Sequence, residues 1–82
     1  MNKVLYQPKA IKQLRKIPAQ KVIRNKINDL SNMPNCHHVK KLINHQYDYR
    51  LRVGNYRVLF NYDDVISIIS IEEVKNRDER TY

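Results

Sequence analysis

Between Tyr47 and Tyr62 two alternating runs are joined by the only glycine of the chain, and this segment constrains the fold more than any other. Tyr47, Tyr49, Leu51 and Val53 alternate with Asp48, Arg50 and Arg52, the period of a strand with one buried face. Gly54-Asn55 follows, the composition of a two-residue hairpin turn, and Tyr56 to Tyr62 reads as the returning strand. A loop of that length sets the register: Val53 opposite Tyr56, Arg52 opposite Arg57, Arg50 opposite Leu59. Directly opposed residues share a face, so Arg50, Arg52 and Arg57 are predicted to project together, away from the core. Like charges opposed across a ladder repel unless an anion lies between them. A guanidinium fork matches phosphate. The hairpin alone therefore predicts an anion-binding concavity on the open side of a sheet.

The remaining elements are arranged around it. Asp63-Asp64 reads as the next turn and Val65 to Val74 as a third strand, apolar on both faces at its start and suited to a central position. Lys3 to Gln7 reads as a short strand. Pro8 fits the first turn of a helix whose stripe is Ala10, Ile11, Leu14 and Ile17, with Lys9, Lys12, Arg15 and Lys16 on the other face. Pro18 ends that helix and can open a second. Ala19, Val22, Ile23, Ile27 and Leu30 form its stripe, Lys21, Arg24 and Lys26 lie outside, and Ser31, Asn32, Pro34 and Asn35 end it. Two short amphipathic helices joined this tightly are predicted to pair antiparallel and to need a sheet beneath them. The reading is an α+β fold: an N-terminal strand and an antiparallel two-helix hairpin packed on a mainly antiparallel four-stranded sheet, with residues 1–82 as one domain.

Charge narrows the partner. The net charge is +8, and it is uneven: residues 1–41 hold ten Lys/Arg and one acid (Asp29), whereas residues 42–82 hold six Lys/Arg and seven acids. A basic block of this kind points to a polyanionic partner. No apolar run approaches the ~20 residues of a membrane span, and Lys3, Lys9, Lys12 and Arg15 break any signal-peptide pattern. The single Cys36 allows no internal disulfide and fits a reducing cytoplasm. One glycine cannot build a phosphate loop, and no Ser/His/Asp or Cys/His pair stands out. Cys36, His37, His38 and His45 lack the spacing of a tetrahedral set, so no metal and no other cofactor is expected. Past the last strand, Lys75, Arg77 and Arg80 with Tyr82 can reach the arginine face. They would add charge stabilisation for a pentavalent phosphorane and a titratable hydroxyl.

The segment LINHQYDYRLRVGNYRVLFNYDD, followed by an apolar strand and VKNRDERTY, resembles the RelE/ParE toxin superfamily of bacterial type II toxin–antitoxin systems. The resemblance covers essentially the whole chain. Its most specific part is the Tyr-Arg-x-Arg…Gly-x-Tyr-Arg hairpin with an Arg-then-Tyr ending. It implies a ribosome-dependent, metal-independent endoribonuclease that cuts mRNA through attack of the 2′-hydroxyl and so inhibits translation. By position, Arg57 and Arg77 would bind and stabilise the scissile phosphate, Arg50 and Arg52 would position RNA and balance charge, and Tyr82 would move a proton or stack on a base. Arg57, Arg77, Tyr82 and Arg52 are thus the implied catalytic set, with Arg50, Lys75 and Arg80 binding RNA. Some relatives have lysine where Arg52 stands, which leaves Tyr82 the foremost general base, ahead of Glu73 and His45. The implied partners are a cognate antitoxin, the ribosome and mRNA, with operator DNA reached through the antitoxin and no membrane. Two alternatives stay open: ParE-like inhibition of DNA gyrase, and a non-catalytic basic nucleic-acid-binding module.

Overall fold

The structure, a computed structural model, describes residues 1–76. The elements run β1 (Lys3–Tyr6), α1 (Pro8–Arg15), α2 (Gln20–Asn28), a 3-10 turn (Asp29–Asn32), β2 (Val39–Lys41), β3 (Tyr49–Val53), β4 (Tyr56–Asp63) and β5 (Ile68–Asn76). One sheet has the order β1-β5-β4-β3-β2, with β1 parallel to β5 and every other pairing antiparallel. This is the α+β architecture expected, with one correction: the sheet has five strands, not four. Val39-Lys40-Lys41 is too short and too charged to read as a strand alone. It forms one because Val39 pairs with Leu51, Lys40 with Arg50 and Lys41 with Tyr49. Two lysines on a three-residue edge also discourage further strand addition.

Both helices lie on one face of the sheet, α1 against β5 and α2 against β3. Ala10 and Leu14 of α1, Ile23 and Ile27 of α2, and Leu30 meet Leu51, Val58, Phe60, Ile69, Ile71 and Val74 of the sheet in a single core. Each fully buried Leu, Ile or Phe contributes about 1.5–3 kcal/mol. Tyr49 and Phe60, directly opposed in the ladder, stack with ring centroids 5.5 Å apart. β1 pairs only with residues 68–71 of β5, so the edge of β5 is open beyond that point. There α1 covers it: Gln13 Oε1 accepts the Val74 amide at 2.6 Å.

Some boundaries differ from the reading of the sequence. The second helix starts at Gln20, not at Pro18, with Ala19 as its cap. Val65 and Ile66 are exposed turn residues and not the start of a strand, because Asp63 Oδ1 accepts both of their amides. Tyr47 was expected on the apolar face of the hairpin. It instead precedes β3, in an irregular connection that contains Asn44 at a positive φ of 55°. Within β5 the register slips between Leu59 and Phe60 of its partner: Phe60 opposes Ile71 but Leu59 opposes Glu73. Glu72 is left over as a bulge, and the facing of every later residue is inverted.

Candidate nucleic-acid interface

The hairpin has the register that its turn demands. Val53 opposes Tyr56, Arg52 opposes Arg57 and Arg50 opposes Leu59, and Gly54 supplies the positive φ (55°) of the turn. Arg57 in turn opposes Lys75 on β5, and Arg50 opposes Lys40 on β2. The face away from the helices therefore carries a cationic row, Arg52–Arg57–Lys75, directly across three strands. Behind it runs a second row, Lys40–Arg50–Leu59–Glu73. Among the described residues the side chains of Arg52 and Arg57 make no ion pair.

Glu73 is the counter-charge. It is 7% exposed although it sits on the face opposite the main core. The Tyr47 hydroxyl donates to its Oε2 at 2.8 Å, and Lys9 and Lys75 approach its Oε1 at 3.4 and 3.9 Å. Burial alone would raise the carboxyl pKa, but the Tyr47 bond and the two ammonium groups outweigh it and hold the group below the usual carboxylate range. The same hydrogen bond and the adjoining negative charge push the Tyr47 phenol up, so that hydroxyl stays protonated. The arrangement can bind an anion over the first row while keeping an ionised carboxylate immediately behind it.

Of the residues singled out in the sequence, Arg50, Arg52, Arg57 and Lys75 come together on this face. Arg77, Arg80 and Tyr82 lie outside the described residues. His45 is set apart in the connection before β3, where its Nδ1 accepts the Tyr47 amide. Sequence reasoning missed Lys40, because β2 was not read as a strand, and Lys9, because a helix lysine carries no sign that it reaches a sheet edge. It also missed Tyr47. Its place in the regular alternation pointed it to the apolar face instead.

On the helix side a groove of about 790 Å³ between α2 and β3 is lined by Val22, Lys26, Leu30, Leu51 and Val53. Cys36 borders it. Its thiol donates to the Asp29 carbonyl, and burial together with the Asp29 charge raises its pKa. Among the described residues no group of three or more His, Cys, Asp or Glu could hold a metal ion. No described helix is long and apolar enough to cross a membrane.

The family described as the ParE toxin of type II toxin–antitoxin systems (parDE) matches residues 4–80. Among solved structures, the chain is similar to the toxin–antitoxin complex RelBE2 of Mycobacterium tuberculosis, at 26% identity and a TM-score of 0.79 over 93% of this chain and 98% of that one. It is similar to the archaeal RelE–RelB complex of Pyrococcus horikoshii at 24% identity and a TM-score of 0.80, covering 96% and 98% of the two chains. The isolated E. coli RelE toxin shares the fold at 15% identity, with a TM-score of 0.78 over 99% and 89%. No curated protein sequence matches significantly. A family match over nearly the whole chain, on a fold that superposes on RelE toxins, makes this protein a member of the ParE-toxin family of type II toxin–antitoxin systems, within the RelE/ParE superfamily.

Proposed function

We propose that residues 1–82 act as one toxin domain, a ribosome-dependent endoribonuclease that cuts mRNA in the cytoplasm. The observation that carries this reading is the row Arg52–Arg57–Lys75, three cations directly opposed across three strands. Such a row is unfavourable in the free protein and is relieved by a bound polyanion. In the reaction the RNA 2′-oxygen attacks the adjacent phosphorus, the O2′–P bond forms and the P–O5′ bond breaks. One proton leaves the 2′-hydroxyl and one arrives at O5′. Arg57 and Arg77 hold the phosphate oxygens as charge develops on them, Arg52 and Arg50 position the strand, and Tyr82 handles a proton. Lys75 and Arg80 add contacts to the backbone. No metal takes part in these steps.

The M. tuberculosis and P. horikoshii relatives are complexes of toxin with antitoxin. In this reading a cognate acidic antitoxin likewise covers the basic surfaces of this chain and carries the pair to operator DNA. A second reading, inhibition of DNA gyrase by binding alone, is favoured by the match to the ParE family.

Primer extension on a reporter mRNA after brief induction separates the two. Discrete cuts within codons, absent with Arg57→Ala and weakened with Tyr82→Phe, are expected. Intact mRNA in dying, filamentous cells with DNA damage would establish the gyrase reading, and full toxicity of Arg57→Ala would sink the ribonuclease.

A further inference from the structure

The outer face of the sheet has two levels. At the hairpin end Arg52 is exposed and Arg57 is half-buried. One row behind, Leu59 is 5% exposed and Glu73 7%, although neither lies on the face that the helices cover. The connection 42–48 covers them. Tyr47 stands at its β3 end, yet its hydroxyl bonds to Glu73 on β5 at 2.8 Å. The phenol therefore crosses the intervening β4 at the level of Leu59, which directly opposes Glu73. The connection is pinned along its length: the Leu42 amide donates to the Asp48 carbonyl, the Asp48 amide to Asn61 Oδ1 and the Tyr47 amide to His45 Nδ1. It forms a wall behind the arginines.

That wall carries an unused aromatic surface. Of the described Tyr and Phe residues, all but Tyr47 pack in or against the core. The His45 imidazole stands against the Tyr47 ring, with centroids 6.0 Å apart and planes tilted by 46°, and His45 itself is exposed. The bond from the Tyr47 amide to Nδ1 fixes the orientation of the imidazole. Charge then sorts the parts of a nucleotide over this step. The arginines in front attract a phosphate. The ionised Glu73 beneath the wall, and Asp48, Asp63 and Asp64 around a hollow of about 420 Å³ beyond it, repel one. The part that can lie back against the wall is the neutral base, and an aromatic ring beside cations is a surface on which an unstacked base rests.

Resting on the ribonuclease reading above, we propose that the connection 42–48 is a nucleobase subsite, in which the His45 ring, backed by Tyr47, stacks on a base of single-stranded RNA whose phosphate is held by the arginines. A purine is preferred there, because its larger face covers more of the ring. His45 is thus a specificity-determining residue and takes no proton.

The test is binding of the full chain to 2′-O-methyl trinucleotides, which lack the nucleophilic hydroxyl, carrying three adenines, three uracils or no bases. The wild type is expected to bind the adenine trimer most tightly and the abasic one least. His45→Ala removes an exposed side chain and is expected to weaken the adenine trimer by about fivefold or more, but the abasic trimer by less than about twofold, because stacking is lost and phosphate attraction is not. His45→Phe keeps a ring and is expected to restore the adenine trimer. Equal losses on the adenine and abasic trimers would mean that His45 acts through the fold alone, and would overturn the subsite. So would a His45→Phe variant as weak as His45→Ala, or a wild type that binds all three trimers alike or none. Cleavage of unmodified mRNA is read separately. Its absence with the base-dependent loss intact removes the ribonuclease and keeps the subsite, whereas cleavage with no base dependence at His45 removes only the subsite.

Discussion

Arg57 stands between two cations, Arg52 on β3 and Lys75 on β5, each directly opposite it in the ladder. Replacing it with glutamine keeps a long polar side chain and removes two like-charge contacts. Directly opposed pairs of this kind are worth about 0.2–1 kcal/mol each. Lys75 is partly neutralised by Glu73 at 3.9 Å, which places the total near the middle of the summed range, about 1 kcal/mol. For a chain of this size that corresponds to a rise in melting temperature of roughly 4–8 °C. The gain is electrostatic, so it should be largest near 0.01 M salt, where the Debye length is about 30 Å, and fade toward 1 M, where it is about 3 Å. Thermal unfolding of wild type and Arg57→Gln at the two salt concentrations measures this directly, with growth inhibition on induction as the companion readout. The expected combination is a more stable protein that is no longer toxic. A lower melting temperature for Arg57→Gln, or a rise of equal size at both salt concentrations, would refute the view that the row is a self-repelling site kept for an anion.

The remaining expectations concern the residues that hold this face in place. Glu73 has a carboxyl whose pKa is lowered in the folded state; its stabilisation is therefore present above the unfolded value and lost as pH falls through the folded one. The stability difference between wild type and Glu73→Gln is expected to be full near pH 7 and to vanish below the ordinary carboxylate range of about 4, and melting curves in which it grows toward acid would contradict the assignment. Gln13→Ala leaves the Val74 amide without its acceptor and is expected to cost about 1–3 kcal/mol in a denaturant titration. Gly54→Ala meets no atom within 4 Å of the added carbon but keeps a φ of 55°, so it should cost about 1–2 kcal/mol from backbone conformation alone; a larger loss would mean that the turn has changed type.

The sequence by itself determined the hairpin and the company that its arginines keep. A two-residue turn admits one register, and a period of two then assigns each residue to a face, so Arg52 opposite Arg57 and Arg50 opposite Leu59 follow from local chemistry. The apolar stripes of both helices were legible for the same reason, since 3.6-residue spacing is a local property. Tertiary structure decided the rest. Simple alternation from Ile69 and Ile71 would carry Glu73 and Lys75 into the core; the bulge at Glu72 turns them onto the arginine face and seats Val74 inside. Strand β2 exists only because β3 offers it a ladder. Tyr47 and Lys9 reach Glu73 from a connection and a helix whose own sequences do not mention it. In each case the deciding partner is remote in the chain: a ladder and a core accept whichever residue fits the neighbour already there, and no local period encodes that fit.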